Sequence, residues 1–243
     1  MRFQLIHISE TDSTNHWLKE HQTDCDCVVA ADYQTAGRGC GTNTWESERG
    51  KNLLFSILCH PEWIKANRQF LISMSVSIAI ARVIEHHTKK TPGHVVSIKW
   101  PNDIYVNDNK ICGILIENKL QGSHIKESII GVGLNVNQQE FCSDAPNPVS
   151  LIQLLHKELD CEQLLQEILT QFSELMEPAN EASVKEEYRQ RLYRNKGYHT
   201  YRDAEGEFSA RIASVEDNGH LLLQLHEGDQ RRYAFKEVQF CLF

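Results

Sequence analysis

The sequence has little of the proline and glycine that mark disordered or fibrous chains. Of its 243 residues only 6 are proline and 13 are glycine, while 41% are hydrophobic and 24% are charged. Such a composition is typical of globular proteins, and the length is sufficient to bury one large core and a small second one. Disordered and fibrous protein classes are therefore excluded.

Long apolar runs are also lacking. The first 14 residues contain no apolar signal region, and no window holds the roughly 18 consecutive apolar residues of a membrane span. We therefore expect a cytoplasmic protein with no membrane partner.

The chain has no excess of basic residues. It carries 25 Lys and Arg against 33 Asp and Glu, a formal net charge of −8. An acidic surface repels nucleic-acid phosphates unless a local basic patch overrides it. We therefore expect no DNA partner.

The eight cysteines are spread from Cys25 to Cys241. In a chain without a secretory signal such a scatter indicates free thiols. The close pair Cys25 and Cys27 is spaced too tightly for a zinc knuckle, and no second Cys/His pair at finger spacing follows. We predict no structural metal.

The order of apolar patterns predicts an α+β fold with a mixed, largely antiparallel sheet packed with helices. Strands are predicted at 5–8, 28–33, 53–58, 95–100, 104–106, 111–117 and 128–136. Helices are predicted from the N-cap residues at 11–15 onward and at 67–90, 151–156, 162–176 and 181–193. Short β runs around glycines follow, with a hairpin turn at 217–219. We therefore predict a large domain over 1–194 and a small β-domain over 195–243.

A glycine-rich loop, Gly-Arg-Gly-Cys-Gly at 37–41, lets backbone amides approach an anion. Its Arg38 can form paired hydrogen bonds with a phosphate or a carboxylate. A tight surface turn with a solvated arginine is the alternative interpretation.

Two further clusters leave similar alternatives open. The segment KWPND at 99–103, followed by Lys110, gathers charged and amide side chains around one hairpin, which could equally be solvated. The segment GVGLNVN at 131–137 alternates glycine and asparagine within an apolar strand. This pattern indicates either close approach of a ligand to the backbone or a β-bulge.

The order of the motifs is more specific than any one of them. DSTN at 12–15, QTAGRG at 34–39, KWPND at 99–103, Lys110 and GVGLNVN at 131–137 together closely resemble biotin protein ligases. The resemblance runs from about residue 5 to residue 150. It implies a catalytic domain with a class II synthetase-like fold, and the last 50 residues loosely resemble the family's small SH3-like β-barrel.

The resemblance also implies the roles of individual residues. Those implied for biotin are Ser13, Thr14, Asn15, Gln34, Gly37, Arg38, Gly39, Cys40, Lys110, Gly113 and Leu115. Those implied for the nucleotide are Trp45, Lys99, Asn102, Gly131 and Asn135, with residues 138–150 as an adenine loop. Arg38, Lys110 and Asp103 would be catalytic. Mg²⁺ would enter with ATP near Asn102 and Asp103, with no metal fixed by the protein alone.

The implied activity forms biotinyl-5′-AMP from biotin and ATP and then transfers biotin to a lysine of a biotin carboxyl carrier domain. No tightly bound cofactor is expected, and a homodimer is left open. One alternative is a lipoate or octanoate ligase, against which the GRG loop and KWPND weigh. The other is a non-catalytic biotin sensor, which would not need Lys110 at a phosphate.

The chain departs from the family pattern at two places. Where the loop usually continues as GRGRRG, this chain has Cys40, Gly41 and Thr42, so we expect the adenylate to be held less firmly. The sequence also begins directly at the catalytic domain, without a helix-turn-helix segment. A repressor role is therefore not expected.

Overall fold

Two β-sheets form the frame of the molecule. A computed structural model describes residues 1–21, 23–41, 43–143 and 147–241. The strands of the first sheet are β1 (Gln4–Ile8), β2 (Cys27–Ala31), β3 (Leu53–Cys59), β4 (Val96–Lys99), β5 (Asp103–Val106), β6 (Asn109–Gln121) and β7 (His124–Leu134). Their spatial order is β1-β2-β3-β7-β6-β5-β4, with β1 and β2 parallel and each other neighbouring pair antiparallel.

Five α-helices accompany the sheets. They are α1 (Thr14–Glu20), α2 (Phe70–Thr88), α3 (Leu151–Leu155), α4 (Cys161–Leu175) and α5 (Glu181–Arg191). The longest, α2, packs against both α4 and α5. The segment Ala66–Thr88 is long and apolar enough to cross a membrane, yet 78% of its apolar window is buried inside the fold. A helix that is apolar on all sides is expected where other elements cover it, and α2 is therefore the core helix.

The two faces of the large sheet bury different clusters because successive strand residues point to opposite sides. On β2, Val28 belongs to the main core with α2, whereas Cys27 and Val29 belong to a smaller cluster with Leu18 of α1. Helix α1 therefore lies on the face opposite α2. This placement brings the start of α1 close to the middle of β3 and β7.

The second sheet closes the chain. Its strands are β8 (His199–Asp203), β9 (Gly206–Val215), β10 (Leu221–Leu225), β11 (Gln230–Tyr233) and β12 (Gln239–Phe240), in the order β11-β10-β9-β8-β12. The predicted hairpin turn at 217–219 joins β9 to β10. It docks on the large domain, because Trp100 Nε1 donates to the Gly219 carbonyl oxygen at 2.9 Å.

The fold class is confirmed, including a C-terminal sheet consistent with an SH3-like domain. The hairpin of β6 and β7 is longer than predicted, since it continues through a turn at Gly122 with φ +61°. The boundary at residue 194 stays a prediction; it falls between the end of α5 and the start of β8. The eight cysteines are free thiols.

Candidate active site

One cleft of about 1250 Å³ gathers the predicted site residues. It is lined by residues of β6 and β7, by residues of the described segments 38–40, 43–46, 141–143 and 147–148, and by Phe235, Lys236 and residues 238–240. Each residue predicted for the site lines it except Gly37. Gly37 is buried beside the loop, where a Cβ would lie 2.7 Å from the carbonyl oxygen of Trp45.

At one end of the cleft, which we call the polar end, the start of α1 meets Gln34. Gln34 Oε1 accepts hydrogen bonds from Thr14 N at 2.8 Å and from Thr14 Oγ1 at 3.1 Å. Ser13 is buried at the N-cap of α1, with extended backbone. Because its oxygen is committed to Thr14, Gln34 has an amide nitrogen left for a ligand.

Asn15 is fixed at the polar end by residues that the sequence did not single out. Its Nδ2 donates to Glu117 Oε2 at 3.0 Å, and its Oδ1 lies 2.6 Å from the hydroxyl of Ser56. Ser56 Oγ also lies 2.7 Å from Thr14 Oγ1. A Cβ at Gly131 would overlap the Asn15 amide. Gly131, predicted for the nucleotide, therefore lies among the residues predicted for biotin.

The middle of the cleft is a pair of glycines covered by an indole ring. Gly113 of β6 and Gly133 of β7 are partners in register. A Cβ at Gly113 would lie 2.9 Å from the Trp45 ring, and one at Gly133 would overlap the ring. Trp45 Nε1 is buried without a partner among the described residues. An unpaired buried donor costs about 1–3 kcal/mol, which a ligand acceptor would offset.

The glycine-rich loop carries Trp45 as part of a short hairpin. Gly39 N donates to the Asn43 carbonyl at 2.8 Å, and Trp45 N donates to the Gly37 carbonyl at 2.9 Å. Arg38 is exposed and Cys40 half-buried, and both line the cleft. Thr42, part of the departure from the family pattern, lies outside the described residues.

The opposite end, which we call the charged end, contains two lysines and an aspartate. Lys110 Nζ forms an ion pair with Asp103 Oδ1 at 2.7 Å. Lys99 Nζ donates to the hydroxyl of Tyr105 at 3.0 Å. Burial lowers the pKa of Lys99, with nearby Lys110 adding to the effect and Asp103 opposing it. The two lysines thus differ, because Lys110 is paired with a carboxylate and Lys99 with a phenol.

Two side chains predicted to contact the nucleotide donate hydrogen bonds to backbone carbonyls of the protein. Asn102 Nδ2 donates to the carbonyl of Ile114. Asn135 Nδ2 donates to the carbonyl of Val149 at 3.0 Å, while its Oδ1 is buried without a partner among the described residues. Asn135 therefore supplies a second unpaired polar atom, an acceptor, to complement the donor of Trp45.

The segment predicted as an adenine loop runs beside Lys110. Lys110 N donates to the Asn147 carbonyl at 2.7 Å, and Val149 N donates to the Lys110 carbonyl at 2.9 Å. Residues 144–146 of this predicted loop lie outside the described part.

Glu46 ties this segment to the glycine-rich loop, a link that sequence reasoning missed. Its carboxylate accepts hydrogen bonds from Cys142 N at 2.8 Å and Ser143 N at 2.7 Å. Burial alone would raise the pKa of Glu46, but hydrogen bonds from Ser143, Cys142 and Gln138 outweigh burial and lower it. Two loops distant in sequence therefore meet on one ionised carboxylate.

Among the missed residues, Glu117 left the clearest signal in the sequence. Side chains at i and i+2 of a strand share a face, and Glu117 follows Leu115 by two positions on β6. Ser56 left no comparable signal, since it is one polar residue in an apolar strand. The C-terminal residues Phe235, Lys236 and 238–240, to which the sequence assigned no function, also line the cleft.

Comparisons with known proteins agree with this site. The model of the biotin/lipoate A/B protein ligase family matches residues 6–135. The bifunctional ligase/repressor BirA of Bacillus spizizenii is 30% identical over 249 residues, covering 93% of this chain and 70% of that protein. The biotin protein ligase from Aquifex aeolicus, solved in complex with biotin and ATP, superposes with a TM-score of 0.79 at 27% identity, covering 97% of both chains.

Proposed function

The chain belongs to the biotin/lipoate A/B protein ligase family, and we propose that it is a biotin protein ligase. The observation that carries the proposal is the distribution of chemistry along one cleft. A hydrogen-bonding polar end and a charged end lie on either side of Trp45 and its two glycines. Biotin has a ureido ring at one end and a carboxylate at the other, which matches this arrangement.

The polar end suits the ureido ring. The ring offers two N–H donors and a carbonyl acceptor. The buried Ser13, Thr14 and Asn15 and the half-buried Gln34 offer complementary hydroxyl and amide groups. Buried polar groups discriminate strongly between ligands, because a ligand without matching hydrogen-bonding groups leaves them buried and unpaired. We assign recognition of the ring to these residues.

The charged end suits the first chemical step. A carboxylate oxygen of biotin attacks the α-phosphorus of ATP, the bond to the β-phosphate oxygen breaks, and pyrophosphate leaves. Repulsion between the two anions opposes this approach, and cations placed where charge develops lower the barrier. We assign that role to Arg38 and Lys110, with Lys99 held nearby on Tyr105.

Mg²⁺ accompanying ATP also fits this end. Mg²⁺ prefers oxygen ligands and keeps several waters, so one or two protein oxygens suffice. Asp103 supplies carboxylate oxygens, and Asn102 has a free amide oxygen because its nitrogen is bonded to Ile114. Among the described residues, no group of three or more His, Cys, Asp or Glu could hold a metal. The ion would neutralise phosphate charge, and we assign its protein contacts to these two residues.

The second step transfers biotin to the acceptor. The lysine ammonium first loses a proton, the neutral amine then attacks the anhydride carbonyl, and the bond from the carbonyl carbon to the phosphate oxygen breaks so that AMP leaves. The nitrogen releases its second proton to solvent as the amide forms. We assign Asp103 to orient the incoming ammonium and to receive its proton, since its carboxylate lines the cleft. The acceptor in this proposal is the carrier domain of a carboxylase, and the protein acts in the cytoplasm.

The experiment that tests the function is pyrophosphate release from ATP, measured with biotin, with lipoate, with octanoate and with no acid. A biotin ligase releases pyrophosphate from ATP only when biotin is the acid supplied. Release with lipoate or octanoate would instead assign the chain to the other branch of its family. Biotin binding without release would indicate a sensor.

A further inference from the structure

The C-terminal domain reaches into the cleft through one turn. Ala234 N donates to Glu237 Oε2 at 2.7 Å, and Glu237 N donates to the Ala234 carbonyl at 3.2 Å. The two middle residues of this turn, Phe235 and Lys236, both line the cleft. Phe235 packs edge-on against Trp100 of the KWPND segment, with ring centroids 6.3 Å apart. The turn is therefore held at both its base and its tip.

The side chain of Lys236 extends from this turn to the glycine-rich loop. Its ammonium group occupies the space that a Cβ at Gly41 would fill. Lys236 has φ +72°, a left-handed backbone that residues other than glycine rarely adopt. Such an outlier is tolerated where the surrounding structure holds it, and the closed turn and Trp100 provide that support.

The charges around Lys236 indicate what it is placed to meet. The loop offers an uncharged Cys40 at this point, and no carboxylate of the described residues pairs with Lys236. Lys110, by contrast, is paired with Asp103. An exposed lysine that lies against a glycine-rich loop without an acidic partner is suited to a ligand anion.

We propose that Lys236 is a phosphate-contacting residue of the adenylation site, so that the C-terminal domain supplies a charge that the glycine-rich loop lacks. The inference rests on the proposed function for the identity of the ligand, ATP. It explains why a loop with cysteine at position 40 can still hold an adenylate. It also gives the C-terminal domain a direct part in nucleotide binding.

The test is calorimetric titration of ATP with Mg²⁺, in the presence of biotin, into the full chain. Lys236→Met should raise the Kd for ATP about tenfold, the loss expected for one charge-assisted hydrogen bond in a partly exposed site. Lys236→Arg should stay within about twofold of wild type, because the charge remains. The matched control is Lys196→Met, which removes an exposed lysine of the same domain that does not line the cleft.

A second variant separates charge from structure. If Lys236 supplies the positive charge that the glycine-rich loop lacks at Cys40, adding Cys40→Arg to Lys236→Met should restore most of the lost ATP affinity. The new cation would then come from the loop and not from the turn. A purely structural lysine would not be rescued in this way. The dependence of the Kd on salt should also be weaker in Lys236→Met than in wild type.

The inference is overturned if Lys236→Met binds ATP like Lys196→Met, or if Cys40→Arg restores nothing. It is also overturned if the wild-type chain binds no ATP. Pyrophosphate release is read separately. If ATP binds through Lys236 but biotin triggers no release, the proposed function fails while the assignment of Lys236 stands.

Discussion

The two ends of the cleft are built in different ways. At the polar end, buried side chains from α1 and β3 hydrogen-bond to one another, so that Thr14, Asn15 and Ser56 form one network. At the charged end, Lys99 and Lys110 come from the separate strands β4 and β6, and the exposed Arg38 and Lys236 come from a loop and a turn beside them. The contrast indicates that recognition of the ring is built into the core, whereas the positive charge for chemistry is assembled from chain segments that are far apart in the sequence.

The largest effect is expected from Lys110→Ala. Loss of a cation aimed at developing charge should lower biotin-dependent pyrophosphate release by about 10²–10³-fold. Stability should change by no more than about 1 kcal/mol, since the Lys110–Asp103 pair is partly exposed. Lys119→Ala is the matched control, because it removes another ion pair of β6 outside the cleft. Normal release by Lys110→Ala would remove Lys110 from the chemistry.

Arg38→Ala should reduce both the adenylation rate and the affinity for biotin by about 10–100-fold, which is the loss expected when one hydrogen bond between charged groups is removed. The effect on affinity arises because the guanidinium can bind the carboxylate before the reaction begins. Arg49→Ala, which removes an exposed arginine paired with Glu10 outside the cleft, should change neither. Titration of biotin alone provides the measurement. An unchanged biotin Kd together with unchanged turnover would place Arg38 outside the site.

Two glycine substitutions test whether the polar end and the middle of the cleft bind different ligands. Gly131→Ala should push the Asn15 amide aside and weaken biotin binding by about tenfold. Gly133→Ala should instead displace the Trp45 ring and weaken ATP binding more than biotin binding. Separate titrations of biotin and of ATP with biotin distinguish the two. If both variants lose the same ligand equally, the division of the cleft into two ends is wrong.

The smallest effect is expected from Glu46→Ala, which removes the acceptor for the amides of Cys142 and Ser143. Hydrogen exchange at those amides should become about three- to tenfold faster, because an exposed charge-assisted hydrogen bond contributes only modestly. Exchange that stays at the wild-type rate would show that other contacts hold the segment.

The same link should depend on pH. Because the folded pKa of Glu46 lies below its ordinary value of 4.5, the attachment is fully present above 4.5 and is lost as the pH falls through the lower folded value. Protection of the two amides, corrected for intrinsic exchange, should therefore decline only in acid. A decline already present near neutral pH would assign the link to another group.

Local patterns were sufficient to predict most of the frame. The predicted turn at 217–219 joins β9 to β10, and its Gly219 has φ +92°, a left-handed backbone that glycine adopts readily. The outer part of the β6/β7 hairpin was missed because it lies beyond the apolar core, where residues such as Lys119 and Gln121 are exposed. Periodicity indicates buried faces, and this hairpin end has little to bury.

The site was predictable only where residues stand in a motif. Asn15 and Lys110 came from the ordered motifs, but the partners that hold Asn15 lie about 41 and 102 positions away along the chain. Glu46 and Lys236 are ordinary surface charges in the sequence. Their roles follow from contacts between distant segments, which no local spacing encodes.

The most direct test of the central claim, that one cleft has a biotin end and a nucleotide end, is hydrogen exchange measured in two steps. Biotin alone should slow exchange at 13–15 and 113–117. Addition of ATP with Mg²⁺ should then slow exchange further at 37–45, and should slow it for the first time at 138–143 and 234–237. Protection of all these segments by biotin alone, or of none of 13–15 and 113–117, would contradict the account.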